Sequence, residues 1–298
     1  MSSNAAGQPV VVINPKATPY SMPVVEVGRA VAERGLAGLY LCEHTHIPVQ
    51  HPRSASPTTG RDLARWIKSL WDPYIALAFV AATTDLEIGT AVALPGEHDP
   101  VVFAKELATL DELSGGRLVL GIGWGWHREE FEQHGFPAAE RVGVLEDKVA
   151  LMRAIWTQDE ATHEGPYVRL PPAWSWPKPR QAAGPPMLLG VPGIERNFRR
   201  ITAWADGWIP MATPLLDDDV SGFRRQLDEL RTIWTDAGRD PATLDVSVVH
   251  PAEPVDTVAP ALERAAQVGV RRVIVQVNDL PADDTRRVLD AVSSAIGA

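Results

Sequence analysis

The chain has 298 residues and a net charge of −10 at pH 7, with 28 basic residues against 38 acidic ones. That length admits two ordinary domains or one large α/β barrel. With no basic stripe to offset the acidic charge, neither nucleic acid nor an anionic membrane is an expected partner.

Cys42 is the single cysteine, so no internal disulfide can form and a reducing compartment fits. The opening residues, MSSNAAGQPV, carry neither a basic region nor an apolar core, and the longest strongly apolar run, 74–82, is too short to span a bilayer. A cytoplasmic protein acting on a small molecule is the expectation.

Strand-like and helix-like segments alternate along the chain. The β-prone run 10–14 is followed by a helix over 24–34 that stops at Gly35, and 38–42 makes a second strand. Glu43 opens a polar, Pro-rich stretch reaching to about Lys68, after which 73–82 reads as a buried helix. The strand 86–94 ends at Pro95-Gly96. Asp99 then caps a helix with Pro100 in its first position, and Phe103, Leu107, Leu110 and Leu113 form one buried stripe. Ser114-Gly115-Gly116 stops that helix. The fourth strand, 117–123, runs straight into Trp124-Gly125-Trp126-His127. Two strands joined through a helix run parallel, so this is a βαβ unit.

An amphipathic helix spans 140–156, with Val144, Leu145, Val149, Met152 and Trp156 on its apolar side. The stretch 162–186 is irregular and rich in Pro and Trp. Strands at 187–190, 207–210, 244–249 and 272–277 then alternate with helices at 195–205, 217–237, 255–268 and 282–296. Eight strands and eight helices in alternation predict a (β/α)8 TIM barrel over 9–298, with loops inserted at its C-terminal face and a flexible N-terminus at 1–8.

Such barrels carry their chemistry at the C-terminal ends of the strands. Glu43-His44-Thr45-His46 follows the second strand, and a histidine there can move a proton or bind a metal. His44-x-His46 also suggests a metal-dependent hydrolase. A metal takes three or four ligands, and His250 and Asp279, after the seventh and eighth strands, are the candidates to complete such a site. Gly121-x-Gly123-x-Gly125 is no dinucleotide fingerprint, because the third glycine comes too early. Glycine at those positions lets a flat ring approach the backbone. Trp124 and Trp126 serve either as pocket walls or as packing for the loops. The turn 190–194 leads into a helix at Glu195, where free backbone N–H groups suit a phosphate.

Five segments taken together resemble the luciferase-like monooxygenase family. They are GLAGLYLCEHTHIP at 35–48, the stretch 86–136 with its string LDELSGGRLVLGIGWGWHREEF, ERVGVLEDKVALMRAIWT at 140–157, HEGPYVRL at 163–170 with PKPRQ at 177–181, and GPPMLLG with ADGWIP between 184 and 210. The match is closest to the branch that uses the deazaflavin coenzyme F-420.

The resemblance implies a barrel holding a flavin or deazaflavin at its C-terminal mouth, commonly as a homodimer. It implies hydride exchange between coenzyme F-420 and a small organic substrate, with an FMN-dependent monooxygenase as the alternative, and no resident metal. In relatives that oxidise a sugar phosphate, an acid–His pair beside the reacting ring matches Glu43 and His44, which become the implied catalytic residues. Ala91-Val92 matches a non-proline cis peptide that backs the ring. Gly123, Trp124 and His127 fall at the ring as well. Trp124 stands where those relatives have a glutamate proton donor, and His127 where an asparagine contacts the ring, so a different substrate is implied. The coenzyme phosphate falls on Gly190, Val191, Gly193 and Ile194, with Gly190-Val191 replacing the usual paired glycine. Trp126 and His46 are assigned to the substrate pocket.

Overall fold

The computed structural model describes residues 8–49, 64–211, 213–216 and 219–297, so the expectation for 1–8 lies almost wholly outside it. In chain order the first half runs β1 (Val10–Pro15), α1 (Val24–Glu33), β2 (Gly38–Leu41), α2 (Pro73–Thr83), β3 (Glu87–Ala93), α3 (Pro100–Leu113), β4 (Leu118–Ile122), α4 (Arg128–Gln133) and α5 (Arg141–Thr157). The second half runs β5 (Ala161–Glu164), β6 (Arg169–Ala173), β7 (Met187–Val191), α6 (Glu195–Trp204), β8 (Gly207–Pro210), α7 (Ser221–Asp236), β9 (Asp245–Pro251), α8 (Val258–Val268), β10 (Arg272–Val277) and α9 (Ala282–Ile296). Among the described residues, eight parallel strands close into a barrel in the order β1-β10-β9-β8-β7-β4-β3-β2. This is the TIM barrel that the alternation predicts.

Local chemistry explains the elements. The barrel strands are covered on both faces, which is why they read as apolar runs without alternation. Asp99 caps α3 by accepting from the N–H groups of Val101 and Val102 at 3.0 and 2.9 Å. The turn after α3 puts Gly115 and Gly116 at φ +72° and +82°, a region costly for any side chain. Arg117 then fastens β4 to its neighbours by donating to the carbonyls of Ala81, Thr84 and Leu86.

The structure departs from the sequence expectations in four places. The irregular stretch 162–186 contains an antiparallel hairpin of β5 and β6, outside the barrel. Both strands are short and part-exposed, and Pro171-Pro172 interrupts β6, so they leave no periodic signal. The helix expected from 217 begins at Ser221, and the one expected from 255 starts with a 3-10 turn before α8. A short helix, α4, follows the Trp-rich loop. Finally, α2 is not fully buried: Ile75 and Phe79 are 65% and 62% exposed. A helix apolar all round does not show which side faces out.

Inside the barrel, Val12, Tyr40, Val119, Leu188, Ile209 and Ile274 form the central packing layer. Below it, buried Arg272 plugs the N-terminal end. Its guanidinium donates to both oxygens of Glu87 at 2.7 and 2.9 Å and also to Asp245, while the Tyr40 hydroxyl donates to Glu87 at 2.8 Å. Burial alone would lower the Arg272 pKa, but Tyr40, Glu87 and Asp245 outweigh it and hold the side chain charged. A buried cation satisfied on this scale closes one end of the barrel and leaves the other for chemistry. No described helix is long and apolar enough to cross a membrane.

Candidate active site

The period of two along β2 sorts the side chains at its tip. Tyr40 belongs to the central layer, whereas Leu39 and Leu41 pack in the core outside it. Cys42 and His44 continue the inward series, and Glu43 continues the outward one. Glu43 is accordingly buried between β2, α2 and the loop after β3. Its Oε2 accepts from the Tyr74 hydroxyl at 2.8 Å and the Leu94 N–H at 2.6 Å, and its Oε1 lies 2.6 Å from His98 Nε2. Burial would lower the His98 pKa, yet the hydrogen bond and charge of Glu43 raise it. Burial pushes the Tyr74 phenol up, and the Glu43 charge adds to the effect.

His44 has a different acid. Its Nδ1 lies 2.7 Å from Glu130 Oε2, and its Nε2 accepts from the Trp126 indole N–H at 3.2 Å. The carboxylate on one nitrogen and the N–H donor on the other assign the neutral tautomer protonated at Nδ1. Glu130 Oε1 also accepts from the Thr45 N–H at 2.9 Å. The Trp-rich loop builds this arrangement. His127 is the N-cap of α4, its Nδ1 accepting from the Glu130 N–H at 3.1 Å, and this cap aims the first turn of α4 at His44. The sequence reading missed Glu130. Its only local signal is the position of Arg128-Glu129-Glu130 directly after a candidate cap.

A second carboxyl lies behind this pair. Glu97 is buried; among the described residues no hydrogen bond within 3.5 Å reaches its oxygens, and its Oε2 lies 3.6 Å from His134 Nε2. Burial first, and then the charges of Glu130 and Glu43, push its pKa up to about 9, so it carries a proton at neutral pH. Burial likewise lowers Lys148 to about 8, partly opposed by Asp99 and Glu97, and its ammonium donates to the carbonyls of Gly96 and His98 at 2.7 Å each.

The strand-three motif shapes the wall of the mouth. The Ala91–Val92 peptide is cis, as the resemblance implies, and the pairing of β3 with β4 shifts register there. A Cβ added at Gly123 or Gly190 would lie 3.1 and 2.8 Å from the Val92 methyls. These glycines therefore make room for Val92, which fills the seam between β4 and β7. Val191 is fully buried in the outer core and offers the mouth only its backbone. Gly193 has no room for a side chain, because a Cβ would meet Gln226 and Trp208 at 2.9 Å. Ile194 occupies the N-cap position of α6, where its aliphatic side chain supplies no cap; the Asn197 N–H already bonds the Ile194 carbonyl at 2.8 Å, which leaves the N–H groups of Glu195 and Arg196 for a ligand.

Trp126 lies at the rim, 38% exposed, while Trp124 is half-buried against the core. His46 bonds Gln133 at 2.6 Å and Thr45 at 2.9 Å. His250 pairs with Thr257 at 3.0 Å, and Asp279 accepts from Thr18 at 2.9 Å. With His44 held by Glu130 and Trp126, these four side chains each serve a different partner and do not assemble a ligand set for a hydrolytic metal.

The profile of the luciferase-like monooxygenase family matches residues 14–291. The chain is 39% identical over 272 residues to an uncharacterized protein of Mycobacterium tuberculosis, covering 90% of this chain and 92% of that one. It is 32% identical over 160 residues to an FMNH(2)-dependent dimethylsulfone monooxygenase of Pseudomonas putida, covering 53% and 42%. Two solved structures share the fold: a monooxygenase from Streptomyces bottropensis, with a TM-score of 0.77, 18% identity and coverage of 96% and 98%, and the coenzyme F-420-dependent tetrahydromethanopterin reductase from Methanopyrus kandleri, with a TM-score of 0.70, 15% identity and coverage of 97% and 98%. Barrel, strand-three bulge and a profile spanning nearly the whole chain converge on one assignment: this protein belongs to the luciferase-like monooxygenase family.

Proposed function

We propose that the protein is an oxidoreductase that exchanges hydride between the deazaflavin coenzyme F-420 and a small organic substrate. One observation carries this reading. His44 stands at the barrel mouth with its Nδ1 proton on buried Glu130 and its Nε2 available as a base once a substrate hydroxyl replaces the Trp126 N–H.

The residues present fit such a coenzyme. The seam of Gly123, Val92 and Gly190 offers a wall with few protruding side chains, and the uncapped start of α6 beside Gly193 and Ile194 offers N–H groups to a phosphate. The bound coenzyme supplies the hydride chemistry. The chain orients the ring and the substrate, keeps water out, and moves the proton. His44 Nε2 takes the proton of an alcohol in one direction and returns it to a carbonyl in the other. Trp126 and Trp124 shape the substrate pocket.

The second reading, an FMN-dependent monooxygenase, is favoured by the identity shared with the dimethylsulfone enzyme. Titration with coenzyme F-420 and with FMN, followed by absorbance, decides between the two. Coenzyme F-420 is expected to bind at least tenfold more tightly, and the reverse order overturns the first reading.

A second copy of the chain is the proposed partner. Ile75 and Phe79 of α2 and Val102 of α3 expose 65%, 62% and 56% of their surface on two neighbouring helices, an apolar face suited to self-association.

A further inference from the structure

β1 carries two side chains into the mouth that the reaction so far leaves unused. Val12 lies in the central layer, so Asn14 and Lys16, two and four residues on, point the same way. The strand geometry persists to the end of this series, since the Lys16 N–H still bonds the Val277 carbonyl at 3.1 Å.

Asn14 is 1% exposed, and among the described residues neither its amide nitrogen nor its amide oxygen has a hydrogen-bond partner. Lys16 is 4% exposed and has no carboxylate partner among the described residues. Its ammonium lies 3.8 Å from Cys42 Sγ and 4.4 Å from the Trp66 ring centre. Cys42 precedes His44 by two positions on the same inward series. Among the described residues, a buried ammonium facing a thiol and an indole, two residues after an unsatisfied amide on the same strand face, has no anion to compensate both.

We propose that Asn14 and Lys16 form a carboxylate-binding subsite of the substrate pocket, so that the substrate is a small organic acid with a hydrogen-bond donor beside its carboxylate. This rests on the functional reading above for the word substrate, although the anion site stands without it. One cation matches one negative charge. The Asn14 N–H2 group serves the second carboxylate oxygen, and its carbonyl accepts from an adjacent hydroxyl. A phosphate dianion leaves a charge that this pair does not neutralise.

The test titrates glycolate, ethylene glycol and inorganic phosphate at constant ionic strength, with binding read by ligand-observed NMR. Wild type, Lys16→Met and Asn14→Asp are compared. Glycolate is expected to bind the wild type, ethylene glycol not to bind, and phosphate to bind at least tenfold more weakly than glycolate. Asn14→Asp is nearly isosteric and gives Lys16 an internal counter-ion, so it is expected to raise the melting temperature while weakening glycolate at least tenfold. Lys16→Met is expected to weaken glycolate by a similar factor. If Lys16→Met does not fold, Asn14→Asp alone decides.

Unchanged glycolate affinity in Asn14→Asp, no glycolate binding by the wild type, or phosphate binding as tight as glycolate overturns the subsite. Loss of coenzyme together with glycolate in Asn14→Asp also overturns it, since the pair then holds the coenzyme. A wild type that binds glycolate through these residues but binds neither coenzyme F-420 nor FMN overturns only the functional reading.

Discussion

Glu130 and His44 are 86 residues apart in the chain, yet their side chains meet at 2.7 Å. Glu43, one residue from His44, meets Tyr74, Leu94 and His98 instead. The acid that orients the histidine therefore comes from α4, and the neighbouring acid ties together the elements around β2.

These separate roles predict separate defects. His44→Ala and Glu130→Gln are each expected to lower turnover at least tenfold while coenzyme affinity stays within a few-fold, because a positioned acid or base contributes roughly a hundredfold or more. Steady-state kinetics beside a coenzyme titration measures both. Turnover equal to wild type in His44→Ala sinks its role. Glu43→Gln is expected to lose about 1–3 kcal/mol of stability, since a buried acceptor of three donors is weakened. Denaturant unfolding reads this loss, and an unchanged midpoint contradicts the bracing role.

Glu97 predicts a pH dependence of stability. Its pKa rises from the ordinary 4.5 to about 9 in the fold, through burial and the charges of Glu130 and Glu43. Between those values the folded chain holds a proton that the unfolded chain has released, so this residue's contribution falls as pH rises through that window. Glu97→Gln mimics the protonated form. It is expected to raise the melting temperature at pH 8 by at least about 2 °C, given roughly 2–4 °C per kcal/mol, and to make little difference at pH 5. Scanning calorimetry at both pH values checks this. An equal shift at the two assigns Glu97 no titration in the window.

Ile194 permits a test of the proposed phosphate site that Gly193 does not, because a side chain at 193 collides with Gln226 and Trp208. Ile194→Asp places a capping carboxylate on the first turn of α6 from an extended backbone that suits an N-cap. The fold is expected to keep or gain stability, by up to about 1 kcal/mol, while coenzyme affinity falls at least tenfold, since two anions compete for the same N–H groups. Unchanged affinity moves the phosphate away from α6.

Phe79→Glu is expected to turn a dimer into a monomer by light scattering after size-exclusion chromatography, with the melting temperature altered little in dilute protein. Phe79 is 62% exposed on one chain, so the substitution breaks no internal packing of consequence. A wild type that runs as a monomer at every concentration refutes the partner.

Regular alternation of strands and helices specifies a barrel because each parallel strand needs a crossover, and the crossovers are visible as capped, periodic helices such as that begun by Asp99 and Pro100. The family string from Leu110 to Phe131 carries the family assignment in its residues alone. Three things stayed outside the reach of the sequence. The pairing of His44 with Glu130 depends on how β2 and α4 approach across the mouth, and no local pattern encodes a distance between elements. The outward turn of Glu43 follows from strand parity only once the central layer has shown that Tyr40 points inward. The exposed side of α2 was hidden because apolar residues surround the whole helix, and only its packing against the barrel left Ile75 and Phe79 facing out. Local periodicity determines what each segment becomes. Which side chains then meet is decided by the closure of the barrel, because only closure brings residues distant in the chain within hydrogen-bond reach.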